Sequence, residues 1–205
     1  GRAVDRLLRI EAYRKEYRDL AQLSRADRTA GGGVGRSVGL DVLARGAGPW
    51  GTRGWISYSL VDAERTDPDT GLRARAPFDV THGLTVVAAK SPAPGWSVRA
   101  AWRYATGRPW TDVASARFDA ALDAWIPEYG APFAERLPAN HRLDLSASRL
   151  VSFGDDGLAV FFASLGNVYD RGSVLEYRWS EDYTQRFPVP GRSRRSVFAG
   201  MSIEF

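Results

Sequence analysis

Cysteine is absent from the 205 residues. That excludes a disulfide scaffold, thiolate zinc sites and a cysteine nucleophile. Histidine is scarce: His82 and His141 are the only two, too few for a histidine-rich metal centre. Lysine is almost missing. Lys15 and Lys90 stand alone, so 26 of the 28 basic side chains are Arg. Long apolar runs are missing as well. The longest, Leu158–Ala163, falls far short of the roughly 18–20 residues of a helical membrane span. A membrane β-barrel stays open, because its strands alternate and need no such run.

What is present is apolar enough to fold: 44% of the residues are hydrophobic and the formal net charge is only +4, unlike a disordered tail. Eight segments alternate with the two-residue period of a strand, and none has a convincing helical period. They cover about residues 7–19, 36–46, 51–65, 78–90, 96–110, 141–153, 158–170 and 194–205. The fifth reads most cleanly, with Trp96, Val98, Ala100, Trp102 and Tyr104 on one face and Ser97, Arg99 and Arg103 on the other. The eighth sets Val197, Ala199, Met201, Ile203 and Phe205 against Ser196, Gly200, Ser202 and Glu204, with Phe198 out of pattern.

The links between segments alternate in length. Gly46–Trp50, Ser91–Gly95 and Gly154–Gly157 are short and rich in the Gly, Pro and Asp of tight turns. The links at about 20–35, 66–77, 111–140 and 171–193 are long and carry Asp, Arg, Pro and aromatics. Strict alternation puts every short turn at one end of a meander and every long loop at the other, as in outer-membrane barrels. Trp50, Trp96, Phe153 and Phe205 fall at the short-turn rim, and Tyr17, Tyr104 and Trp110 towards the long-loop rim, suggesting two aromatic girdles. Arg on a lipid face near mid-bilayer costs about 2–4 kcal/mol. The register of the fifth segment should therefore turn its apolar set to lipid and Arg99 and Arg103 to the lumen. Arg149 shares the parity of Leu145 and Phe153; either it snorkels to the short-turn interface or a bulge resets the parity there.

Five short stretches then resemble one family in order and spacing, over essentially the whole chain. Ile10–Asp19 contains E-x-Y-x-K-x-Y, and Gly35–Asp41 reads G-x-x-x-G-x-D. Tyr104–Trp110 reads Y-x-T-G-x-P-W, Arg136–Asp144 reads R-L-P-x-x-H-R-L-D, and Asn167–Arg171 reads N-V-Y-D-R. Together they resemble the C-terminal part of TonB-dependent outer-membrane receptors. The resemblance implies an all-β fold: an antiparallel up-and-down transmembrane β-barrel segment of about eight strands, the last eight of a 22-stranded barrel. Residues 1–205 would form the C-terminal portion of the barrel domain. The N-terminal plug domain, the segment that contacts the TonB complex and the earlier strands would lie outside it. Gly1 opens the chain with no Met, basic region or apolar region of a signal peptide, as expected of a mature start or of a fragment.

The implied activity is energy-coupled import of a scarce solute, such as a ferric siderophore, a cobalamin or an oligosaccharide, across the outer membrane of a Gram-negative bacterium. No enzyme activity, cofactor, metal or nucleic-acid partner is expected. No nucleophile elbow is present, and the arginines are spread evenly, with Arg192, Arg194 and Arg195 the one short basic tract. Asp67–Gly71 reads as a turn, since it lacks the spacing and distal Glu of a calcium loop. Gly31–Gly35 reads as a flexible loop, since no Lys-Ser/Thr follows. Lipid and lipopolysaccharide would surround the outside. Arg99, Arg103, Arg142 and Asp144 would face the lumen and the plug. A small-molecule or glycan ligand would meet loop residues chosen from Trp110, Trp125, Tyr129, Arg136, Tyr177, Trp179 and Tyr183, because aromatic rings with Arg suit aromatic, anionic or sugar ligands. Two rival readings are a stand-alone eight-stranded barrel with a structural or adhesive role, in which the first segment pairs with the last, and a soluble basic meander that binds polyanions.

The last residues resemble the signal read by the barrel-assembly machinery, with Gly200, Ile203 and Phe205 in its key places. Phe205→Ala in the full-length protein is expected to lower outer-membrane insertion, read by fractionation and immunoblot. Unchanged insertion would remove that role from Phe205.

Overall fold

The structure is a computed structural model that describes residues 6–21, 32–66, 71–191 and 194–204. Phe205, Arg192, Gly31 and residues 67–70 of the Asp67–Gly71 turn lie outside the described residues. The described strands are β1 (Leu7–Leu20), β2 (Gly33–Ala47), β3 (Arg53–Thr66), β4 (Arg73–Arg75), β5 (His82–Lys90), β6 (Trp96–Ala105), β7 (Pro109–Trp110) and β8 (Val113–Asp119). They continue with β9 (Ala124–Tyr129), β10 (Glu135–Arg136), β11 (Asn140–Phe153), β12 (Gly157–Gly166), β13 (Val174–Trp179), β14 (Arg186–Pro190) and β15 (Ser196–Glu204).

Eight long strands form one antiparallel meander in the order β1-β2-β3-β5-β6-β11-β12-β15. Each falls in one of the eight segments expected from the alternation. The long-loop ends differ from expectation. The fourth strand starts at His82 rather than 78, the fifth stops at Ala105 rather than 110, and the seventh stops at Gly166 rather than 170. At these places the backbone is diverted into turns: the Asp79 amide donates to Ala76 O, and Asn167 takes a left-handed φ of 52°. The long links are also more ordered than a loop reading suggests. β8–β9 and β13–β14 are hairpins, β7 pairs with β10, and β4 adds to β3. The order ends on β1 and β15, which do not pair with each other among the described residues, so the barrel is not closed.

Because the ladders from β2 to β15 run without a register shift, side chains keep to two faces. One face is apolar on all eight strands. A single cross-strand row reads Ile10, Val42, Tyr58, Leu84, Tyr104, His141. The row towards the short turns reads Leu8, Ala44, Ile56, Val86, Trp102, Leu143. Further along the sheet the same face holds Leu145, Leu165 and Val197, then Ala147, Ala163 and Ala199. The opposite face holds Glu11, Asp41, Ser57, Ser59, Thr85, Arg99, Arg103, Arg142 and Asp144. Among the described residues only Leu137 and Ala159 are buried hydrophobics, while Ile10, Phe161 and Met201 are about half exposed or more. The apolar side chains form a surface, not an interior.

The apolar face ends in charge. At the long-loop end, Glu16, Arg36, Glu64 and Arg75 alternate in sign across four strands. At the short-turn end stand Lys90 and Arg149. The ladder is continuous through Arg149, so no bulge resets its parity; its guanidinium lies 5.4 Å from the Trp96 ring centroid. Tyr17, Tyr104 and Trp110 all lie towards the long-loop end, but only Tyr104 is on the apolar face. Tyr17 pairs opposite Gly35 on the polar face, and Trp110 turns into the loops.

One glycine marks how closely the strands approach. A Cβ on Gly54 would overlap the Val87 carbonyl oxygen. Gly54→Ala should destabilise the protein by about 1–3 kcal/mol, measured by urea unfolding of the intact protein in micelles; an unchanged midpoint would show that the strands can part there.

Candidate functional site

Two clusters gather at the long-loop end. The first is on the polar face. Arg142 precedes Asp144 by two positions on β11, so both point the same way, and Arg103 of β6 is the direct cross-strand partner of Arg142. Asp144 takes the Arg142 Nε–H on Oδ1 at 2.5 Å and the Arg103 Nη1–H on Oδ2 at 2.7 Å. Its Oδ1 also accepts the Asn167 backbone N–H at 2.8 Å. One carboxylate thus joins β6, β11 and the end of β12. Arg99, on the same face, meets no acidic side chain among the described residues.

Asn167 is buried and works as a corner. Its side chain accepts from the Arg171 amide and donates to Arg171 O. Arg171 bonds His141 Nε2 at 2.8 Å and donates to Ala139 O, and Tyr169 packs edge-on against the His141 ring. His82 is likewise engaged, with Nδ1 2.8 Å from the Tyr58 hydroxyl.

The second cluster lies in the loops. Trp110 and Tyr177 come from different links, and their ring centroids are 4.8 Å apart. Arg186, on β14, lays its guanidinium 4.2 Å from the Tyr177 centroid and 5.6 Å from that of Trp110. Its Nη1–H donates to Asp112 Oδ2 at 3.0 Å. Arg108 adds a bond to Leu175 O. A guanidinium lying against two neighbouring rings, with N–H donors left over, can take up a planar anion or an aromatic ligand. Trp179 and Tyr183 stand together at the tip of the β13–β14 hairpin, 6.3 Å apart. The tip is tied by Asp182, which accepts from the Ser180 hydroxyl at 2.5 Å and from the Thr184 amide at 3.1 Å. These bonds, Ser180's first, hold the Asp182 carboxyl below its ordinary pKa. A lowered value means that the ties persist above the usual carboxylate range and weaken as pH falls through the depressed pKa.

The remaining candidates lie apart. Trp125 packs edge-on to its cross-strand partner Phe118 on the β8–β9 hairpin, at 5.6 Å, and Tyr129 projects from the base of the same hairpin. Arg136 is held by the protein itself. Its Nη2 donates to Asp79 Oδ2 at 2.5 Å and to Thr81 Oγ1 at 2.6 Å, and its Nη1 donates to Asp79 O and Gly107 O. Asp79 is fully buried and its Oδ1 accepts no bond from the described residues. In β15, Gly200 lies under the Phe162 ring, Ile203 is on the apolar face opposite Ala159, and Phe198 stacks on Phe162 across the polar face at 5.6 Å. Sequence reasoning missed Asp79 and Asp112. Asp112 was within reach, since it follows Trp110 by two and shares its face in an extended chain.

Neither a family model nor a curated protein matches the chain. A solved structure does. The chain is similar in fold to the ferric-catecholate import receptor Fiu of E. coli K12 in its closed form. The TM-score is 0.61 at 16% sequence identity, over 97% of this chain. The chain spans a quarter of that receptor's length, 25%. The likeness shows the fold, a segment of an all-β antiparallel barrel.

Removing Arg136 would leave the buried Asp79 with only the longer contact to Arg75, 3.9 Å away, at a cost of about 3–5 kcal/mol. Arg136→Ala should therefore lower the urea midpoint of the intact protein sharply, and adding Asp79→Leu should recover a large part. A double variant no better than the single one would show that the clasp works through shape rather than charge.

Proposed function

We propose that the chain is the C-terminal barrel portion of a TonB-dependent outer-membrane receptor that imports a scarce solute. The observation that carries this is the unbroken apolar face of all eight strands, edged by charge at both ends. On β6 it runs from Trp96 to Tyr104, about 26 Å of strand and about 20 Å once tilted by ~40°, near the ~25 Å apolar band of outer-membrane barrels. The fold likeness to a ferric-catecholate import receptor and the five motifs support the same reading. In it, the polar face with Arg99, Arg103, Arg142 and Asp144 lines the lumen and meets the plug, and the earlier strands close on β1 and β15. Coupling to the TonB complex passes through the N-terminal part of the same protein, and the barrel-assembly machinery inserts it. The stand-alone eight-stranded barrel is disfavoured because β1 and β15 do not pair with each other among the described residues.

Among solutes, a ferric siderophore with anionic aromatic groups fits the loop cluster of Trp110, Tyr177 and Arg186 better than a neutral oligosaccharide, which offers the guanidinium no charge. Arg186 thereby joins the candidate ligand-binding residues, beside Trp125, Tyr129, Trp179 and Tyr183 on the neighbouring hairpins.

Deleting the gene should abolish TonB-dependent uptake of one labelled solute among a catecholate ferric siderophore, a cobalamin and an oligosaccharide. In the intact receptor, Arg186→Ala should weaken binding of that solute by about tenfold, the loss of one charge-assisted contact, at unchanged surface expression. Uptake of all three classes undiminished by the deletion would sink the import reading.

A further inference from the structure

One cation sits where the apolar face should carry none. Arg149 lies between Leu145 and Phe153 in parity, is exposed, and has no carboxylate partner among the described residues. The nearest acidic pair in sequence, Asp155 and Asp156, sits in the turn beyond Phe153; Phe153 itself is already roughly 13 Å further along the strand. Any fixed countercharge for Arg149 would therefore come from outside the described protein.

The surroundings define what could supply it. Arg149 packs its guanidinium over Trp96, its cross-strand partner. Lys90 is on the same face one strand further on, paired with Val98, two residues from Trp96. Two cations thus flank one tryptophan at the short-turn end, and the Trp96 indole N–H donates to no described residue. From Arg149 an open groove leads along the sheet. Ala147 and Ala163 face each other across the β11–β12 ladder and form its floor, while Trp96, Val151 and Phe161 stand around it. Small side chains beside large rings leave room for a slender apolar chain. The guanidinium fork matches two oxygens of a phosphate, and Trp is at home where apolar tails meet headgroups.

We propose that Arg149, Trp96 and Lys90 bind the phosphate of one anionic glycerophospholipid of the leaflet at the short-turn side, with an acyl chain in the groove over Ala147 and Ala163. The site rests on the barrel reading above, because only a membrane-embedded sheet presents this face to lipid. Charge complementarity selects the occupant: the groove is apolar apart from Arg149 and Ser148, and its cationic head has no internal counterion.

The test uses the intact protein extracted from the outer membrane in mild detergent. Native mass spectrometry follows titration with phosphatidylglycerol or phosphatidylcholine. Wild type should retain one phosphatidylglycerol in preference to phosphatidylcholine. Arg149→Gln should weaken that retention by about tenfold, the loss of one charge-assisted contact, while Arg117→Gln on the β8–β9 hairpin should leave it intact. If Arg149→Gln fails to insert, Arg149→Lys keeps the charge without the fork and should bind phosphatidylglycerol at intermediate strength. Equal retention of the two lipids by wild type, or equal phosphatidylglycerol retention by wild type and the inserted Arg149 variant, overturns the lipid site and leaves the barrel reading untouched. Absence of the wild type from the outer-membrane fraction overturns the barrel reading and the lipid site with it.

Discussion

The register of the eight long strands is the constraint on which the other features depend. Pleated strands put neighbouring residues on opposite faces, so a slip of β6 by one residue would carry Arg99 and Arg103 to the apolar face and Trp96, Val98 and Trp102 to the polar one. On the proposed barrel reading, with each misplaced Arg costing about 2–4 kcal/mol at mid-bilayer, the penalty of a slip is comparable to the whole stability of an ordinary domain. Pairing is thus specified by side chains rather than by the backbone, which would bond equally well in either register. On the proposed barrel reading, the same constraint explains why the apolar residues need no buried core: their solvent would be on the outside.

The family-like motifs owe their shape to what happens where the strands end. In Tyr104–Trp110, Thr106 exchanges bonds with His82, through its backbone N–H and its hydroxyl. Gly107 passes so close to Leu137 O that a Cβ would overlap it. In Arg136–Asp144, Arg136 reaches back to Asp79 and Gly107, and Asp144 gathers Arg142, Arg103 and the Asn167 amide. In Asn167–Arg171, the left-handed corner lets Arg171 return to His141. Each motif is half of a clasp whose other half lies in a different motif. That is why they occur in a fixed order along the chain, and why single motifs carry little information. The clasps also hold the loop hairpins to the strands, giving Trp110, Tyr177 and Arg186 a fixed base.

The long strands were legible because their signal is repeated: four or five alternations in segments such as 96–105 outweigh any single misfit. Even Arg149 could be read as a misfit, though only the continuous ladder and the Trp96 contact decide between a snorkelling side chain and a bulge. The hairpins within the long links were not legible. β13 and β14 are six and five residues long, too short for a period to emerge, and Pro188 and Pro190 argue against a strand unless it is an edge. Arg136 shows a different limit. Its type and its setting among aromatics suit a ligand contact, yet four bonds to Asp79, Thr81 and Gly107 already engage it. Only the fold reveals that the Asp79 carboxylate, 57 positions away, is buried beside it.

Several interactions remain half made, and each one specifies its missing partner by chemistry. β1 and β15 leave edge N–H and C=O groups unpaired, and inside a bilayer those groups tolerate only further strands. Arg99 on the polar face has no carboxylate among the described residues, so on the proposed reading a lumen occupant that lies against it stabilises the assembly most if it is acidic there. On the proposed barrel reading, Arg149 on the apolar face would meet the opposite solvent, where carboxylates are absent and phosphates abundant. Two arginines on one sheet, identical in charge and both without a carboxylate partner among the described residues, would therefore select different partners because two-residue alternation puts them on opposite faces.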